Sequence, residues 1–97
     1  MEMNYIDRIA KSVAEQCGDP EPTPDDMRLY RIYGLLVLTR GTDTTLKDVH
    51  DAWSAWKSET MPEHRSIVPF DQLTPEVQEM DRPYCEAIHE VARTLNA

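Results

Sequence analysis

Cys85 and His89 are the residues whose types and spacing come nearest to chemistry in this chain. Four apart on a helix, they share a face, and together they form half of a zinc site or a thiol–imidazole pair. Zinc needs three or four ligands, and Cys17, His50 and His64 stand at no diagnostic distance from the pair. A nucleophilic thiolate needs an electropositive setting, whereas Glu86 and Glu90 flank these residues and negative charge raises a thiol pKa. The reading is a small buried thiol beside an imidazole, with no metal and no catalytic residue expected.

Carboxylates are abundant, and Glu76, Glu79, Glu86 and Glu90 fall along one side of the C-terminal helical stretch. General acid–base work needs carboxyls in a cleft with separated pKa values. These acids instead read as a solvated face, with docking of a basic partner as the alternative. Trp53 and Trp56, with His50, His64 and Phe70, are the candidate ligand or partner site. Tryptophans are enriched in aromatic cages and at interface hot spots, but packing in the core is their commoner use. Three residues apart on one helix, both can touch the core while one sits at its edge. Glycine-rich phosphate loops, Ser-His-Asp arrangements and nucleotide fingerprints are absent, so no cofactor is expected.

The elements that must position these residues are helices, with no competing strand pattern. Tyr5, Ile6, Ile9, Ala10, Val13, Ala14 and Cys17 recur at helical spacing, predicting a first helix from about Asn4 to Cys17, stopped by Gly18. Thr23 as N-cap and Pro24 in the first turn open a second helix, with Asp25 and Asp26 at its positive end, running to about Arg40 and ended by Gly41. Its second half is apolar nearly all round (Tyr33, Leu35, Leu36, Val37, Leu38), which predicts the central and most buried helix. Gly34 costs that helix about 1 kcal/mol relative to alanine, and a close helix crossing is the ordinary reason to keep it.

A third helix should run from a Thr45 cap, with Asp48 three residues on as a capping box, to about Ser58. Leu46, Val49, Trp53 and Trp56 share its inner face, with His50 beside them. Residues 61–73 are interrupted by Pro62 and Pro69, yet Ile67, Val68, Phe70 and Leu73 are too apolar for a free loop. They are expected to lie packed across the helices. Thr74-Pro75-Glu76 then repeats the cap-plus-proline start. Val77, Met80, Tyr84, Ile88, Val91 and Leu95 keep helical phase to the C-terminus despite Pro83, and a break at Asp81-Arg82, with a cap near Asp81, resolves that conflict. The fold class is all-α: a single compact domain of four to five helices.

With 97 residues there is one core to build. Eighteen acids against ten bases give a formal charge of −8. That opposes direct binding to nucleic acid and to anionic membranes, and permits a basic protein partner, including one whose nucleic-acid groove an acidic domain could occupy. The longest apolar run, Tyr33 to Leu38, is far too short to span a bilayer, and no secretory leader is seen. A cytoplasmic location with reduced cysteines is the expectation.

The segment VHDAWSAW (Val49, His50, Trp53, Trp56), His64, Val68-Pro69-Phe70-Asp71-Gln72-Leu73, Thr74-Pro75-Glu76 and Met80-Asp81-Arg82 resembles the RyR domain, a helical module repeated in ryanodine receptors. The resemblance covers residues 48–95. It differs from the family in a shorter connection between Trp56 and His64 and in Arg65 where the family has proline. The whole chain also resembles small proteins of actinobacteria and their phages. The resemblance implies a helical module that binds a ligand or partner and carries no catalytic residues. The net charge of −8, the lack of a catalytic constellation and the tight capping make the expected function a small, acidic, non-enzymatic interaction protein acting stoichiometrically on a protein partner, and a homodimer would fit. The alternatives are a small-molecule or nucleotide-binding module and an acidic mimic of nucleic acid.

Overall fold

The computed structural model describes residues 3–96. The first helix, α1 (Tyr5–Gln16), opens on a full capping box: Asp7 N–H donates to the Asn4 side chain, and the Asp7 carboxylate accepts from Asn4 N–H. At its other end Gly18 takes φ +78°, a left-handed conformation open to glycine at no steric cost. That turn lets Asp19 N–H reach Ala14 O at 2.9 Å and Gly18 N–H reach Glu15 O at 3.0 Å, the paired bonds of a Schellman stop.

Helix α2 (Pro24–Thr39) is capped by the Thr23 hydroxyl, which accepts from Asp26 N–H at 3.1 Å. Gly41, at φ +56°, turns the chain into a 3₁₀ turn, Gly41–Asp43. Helix α3 (Leu46–Ser58) begins with the expected Thr45–Asp48 box, both bonds of which are made. A second 3₁₀ turn, Phe70–Gln72, precedes the short helix α4 (Pro75–Glu79), capped by Thr74. Helix α5 (Arg82–Leu95) follows after two residues. The chain breaks where the proline demanded, and Pro83 sits harmlessly in the first turn of α5. Asp81 holds the N-cap position, but contrary to expectation its side chain makes no cap hydrogen bond.

Among the described residues there are five α-helices and no strand. The core is one cluster: Ile9, Ala10, Val13 and Ala14 of α1, Tyr30, Tyr33 and Val37 of α2, Val49 and Ala52 of α3, and Cys85, Ala87, Ile88, Val91 and Ala92 of α5. Tyr33 is its largest fully buried side chain, edge-on to Tyr30 at 6.3 Å and tilted against Tyr84 at 5.7 Å. Gly34 is where α1 and α2 cross. A Cβ there would stand 3.3 Å from Ile9 Cγ2 and 3.4 Å from the Ala10 backbone nitrogen. The radius of gyration, 13.1 Å, is what one domain of this length should show. No helix among the described residues is long and apolar enough to cross a membrane.

One expectation needs correction. Helix α2 is central, packing on α1, α3 and α5, but it is not buried all round. Leu35 is 52% exposed and Leu38 46%. The Phe70–Gln72 turn and α4 pack on α3. Ile67, Val68, Phe70 and Leu73 of the packed connection are half-buried.

Candidate functional site

The two tryptophans of α3 part company. Three residues on, a side chain has turned about 60° around the helix axis, enough to face a different neighbour. Trp53, half-buried, lies against His50 with ring centroids 5.9 Å apart and nearly parallel, and meets His64 edge-on at 5.2 Å. Phe70 completes the group at 6.1 Å from His50. His50 is only 3% exposed, and its Nε2 lies 2.7 Å from Val68 O. A carbonyl can only accept, so Nε2 donates there, pinning the irregular stretch to α3. His64 is itself turned inward on the chain, its Nδ1 accepting Ser66 N–H at 3.0 Å.

Four of the five predicted residues, His50, Trp53, His64 and Phe70, are therefore brought together. Their spacings are those of rings packed directly on one another, with no gap for an inserted group. Beside His64, a shallow cleft of about 330 Å³ is bordered by Met61, Pro62 and Glu63.

Trp56 stands apart from them. It is 9% exposed, and its indole N–H donates to Asp25 O at 3.0 Å, tying the end of α3 to the start of α2. Lys57 Nζ stands 5.3 Å from its ring centroid, within cation–π range. With Ile6, Ile32 and Leu35, Trp56 lines an open groove of about 420 Å³ between α1, α2 and the end of α3. Arg28, Arg31 and Glu59 form the polar rim. Arg28 pairs with Glu59 and, at 3.4 Å, with Asp25, while Arg31 pairs with Asp7 of α1. All are partly exposed, so these pairs orient the rim more than they stabilise the fold.

This groove was not anticipated from the sequence. Its signal was present: Arg28, Ile32, Leu35 and Leu38 recur at helical spacing on the side of α2 away from Tyr30, Tyr33 and Val37. Two apolar stripes on one helix, each calling for cover, read in sequence as a single buried surface.

Cys85 and His89 converge on one atom. His89 Nε2 donates to Thr44 O at 2.7 Å, and the Cys85 thiol donates to the same oxygen at 3.3 Å. Thr44 is itself buried, its hydroxyl donating to Gly41 O at 2.8 Å. The pair thus locks the Gly41–Asp43 turn onto α5. Burial pushes the Cys85 thiol above its ordinary value, with Asp48, Glu86 and Asp81 adding to that and Arg82 opposing it. Desolvation, not the flanking glutamates, is the main cause. Since Nε2 is committed as a donor, it cannot take the thiol proton, and the arrangement is a structural clasp. Cys17 is half-buried, its thiol pushed up to about 11 by burial and then by Asp19. Both cysteines are free. Among the described residues no three His, Cys, Asp or Glu side chains cluster as metal ligands would.

The predicted acidic face is divided between two helices. Glu79 of α4 is paired with Arg82, at 2.6 and 2.9 Å, and Glu90 of α5 with Arg93 at 2.9 Å. Arg82 holds the Glu79 carboxyl below its ordinary value. Glu76 and Glu86 are exposed. The surface is mixed in sign along α5, where Arg82, Glu86, Glu90 and Arg93 share a side.

No curated protein and no solved structure matches the chain. One family model does, that described as Domain of unknown function (DUF7701), over residues 4–93. The match takes in both halves of the bundle, the groove and the ring cluster alike, and the chain belongs to the DUF7701 family.

Proposed function

We propose that this chain is a small non-enzymatic protein-interaction module that binds a protein partner stoichiometrically through the α1–α2–α3 groove. The observation that carries the reading is an apolar surface left uncovered beside a buried tryptophan. Ile6, Ile32, Leu35 and Trp56 form its floor, and Arg28, Arg31 and Glu59 its polar rim. Leu35 and Leu38, both about half exposed, extend it along α2. An apolar centre with a Trp anchor and arginines at the edge has the composition of interface hot spots. A contiguous apolar patch rimmed by polar residues is uncommon on small soluble domains unless something docks there.

The acids of α4 and α5 support a basic partner less well, since two of the four predicted ones are already engaged by nearby arginines of α5. The aromatic cluster around Trp53 supports a ligand less well, because its rings occupy the space between them.

Affinity capture compared between the wild-type chain and Leu35→Glu tests the reading, with complex masses read by native mass spectrometry. The expected result is a complex of fixed stoichiometry that the variant binds at least about tenfold more weakly, with an unchanged far-UV circular dichroism spectrum. Equal capture by both proteins would remove the groove from the function.

A further inference from the structure

We infer that the occupant of the groove is a second copy of this chain, in a two-fold arrangement centred on Leu35 and Leu38 of α2; the inference rests on the groove being the interaction surface. Charge is what selects the occupant. Among the described residues, the groove and its margin carry three cations, Arg28, Arg31 and Lys57. Against them stand three acids, Asp7, Asp25 and Glu59, each bound to one of the two arginines. The face therefore has no net charge, in a chain whose formal charge is −8.

A basic partner would be drawn to the surfaces that hold the excess acids, and an acidic partner would need a net positive face. A neutral face with both signs paired across an apolar floor suits neither, and suits its own image. In a two-fold interface residue i meets residue j and j meets i, so a patch carrying both arginines and their carboxylates is complementary to itself. Each guanidinium has five N–H donors, more than the pairs within one protomer use, and can reach a carboxylate of the partner without giving up its own. Leu38, one turn beyond Leu35 on the same side of α2, would extend the apolar contact.

This arrangement has an unusual salt signature. Two molecules of charge −8 repel at a distance, and salt screens that repulsion, shortening its range from about 30 Å at 0.01 M to about 8 Å at 0.15 M. Self-association through a neutral apolar face should therefore strengthen as salt is added. Binding of a basic partner by the acidic surfaces would weaken.

Sedimentation velocity and light scattering on the purified chain test this over a wide concentration range, at about 10 and about 150 mM salt. The expected result is a dimer of the 11.2 kDa chain, tighter at the higher salt. Leu35→Glu should weaken it at least about tenfold by setting like charges against each other at the centre. Met80→Glu, at an exposed methionine between α4 and α5 that is not part of the groove, should leave it unchanged. Because Leu35 lies outside the core, its variant should keep the fold, which circular dichroism verifies, and Leu38→Ser is the second probe should it not.

A chain that stays monomeric at about 1 mM protein overturns the inference, as does a dimer indifferent to both Leu35→Glu and Leu38→Ser. If the monomer nevertheless captures a different protein, and Leu35→Glu loses it, the interaction module survives without the second copy. If neither self-association nor capture responds to Leu35, both readings fall together.

Discussion

Trp53 and Trp56 leave the same helix three residues apart and meet opposite fates. Trp53 is half-buried in a cluster with His50, His64 and Phe70, where every ring finds another ring. Trp56 is nearly buried and hydrogen-bonded through its indole, yet it borders apolar surface left open among the described residues. The richer collection of aromatic and imidazole groups is thus the closed one. On the proposed reading, binding capacity lies where apolar surface is left over after packing, not where ring-bearing residues are densest. The Phe70–Gln72 turn and α4 pack on α3, while Leu35 and Leu38 of α2 stay about half exposed.

The largest effect that would test this contrast is on stability. Trp56→Ala removes a nearly buried indole and its bond to Asp25 O, and should cost about 3–5 kcal/mol in urea unfolding followed by circular dichroism. Trp53→Ala removes a half-buried ring whose neighbours can partly close the gap, and should cost about 1–2 kcal/mol. Equal costs would show that the two tryptophans are equivalent core residues and would dissolve the distinction.

A second pair of changes moves the contrast onto α2, whose two sides differ as the tryptophans do. Gly34→Val drives a branched side chain against Ile9 and the α1 backbone at the closed crossing, and should cost about 1–3 kcal/mol by overpacking. One residue further on, Leu35→Ala should alter the stability of the monomer by no more than about 0.5 kcal/mol, as at other surface positions. A large loss at Leu35 in thermal unfolding would mean that the groove is a seam of the fold and not a vacant surface.

The sequence was most readable where structure is decided within a few residues. Thr23-Pro24, the Thr45–Asp48 box, Thr74-Pro75, Gly18 and Gly41 are local devices, and each helix end they predict lies within a residue of its place. Gly34 could be read as a crossing because little else justifies a glycine in mid-helix. The Asn4–Asp7 box uses the same local chemistry. What could not be read depends on distant pairing. Arg31 meets Asp7 across 24 positions, and Trp56 meets Asp25 across 31. His89 and Cys85 find Thr44 across 45 and 41. Nothing in the spacing of Cys85 and His89 tells that both hydrogen bonds go to one backbone oxygen. Nor does the apolar content of α2 tell which of its sides will go uncovered.

The smallest effect expected is one of pH, and it concerns the closed side. Asp81 is half-buried at the break between α4 and α5, with no cap hydrogen bond and no ion pair among the described residues. Burial raises its pKa above the ordinary carboxylate value, an effect that nearby His50 opposes but does not cancel. A carboxyl with a raised folded-state pKa binds more protons in the native than in the unfolded chain between the two values. Its contribution is therefore favourable to folding at low pH and is lost as pH rises through that window, after which a poorly solvated charge remains as a standing cost. Asp48 has the opposite sign. Although burial works against ionisation, hydrogen bonds from Thr45 and Arg40 outweigh it and lower its pKa, so its contribution is present at neutral pH and is lost as pH falls. Asp81→Asn should therefore raise the melting temperature at pH 7 and lose that advantage below the usual carboxylate range, while Asp48→Asn should lower it at pH 7 and converge on wild type in acid. If Asp81→Asn is instead the less stable protein at neutral pH, then the charge of Asp81 is held by His50 strongly enough to stabilise the fold. The ring cluster around Trp53 would then be an electrostatic junction as well as a packed one, closed more firmly than its ring spacings alone require.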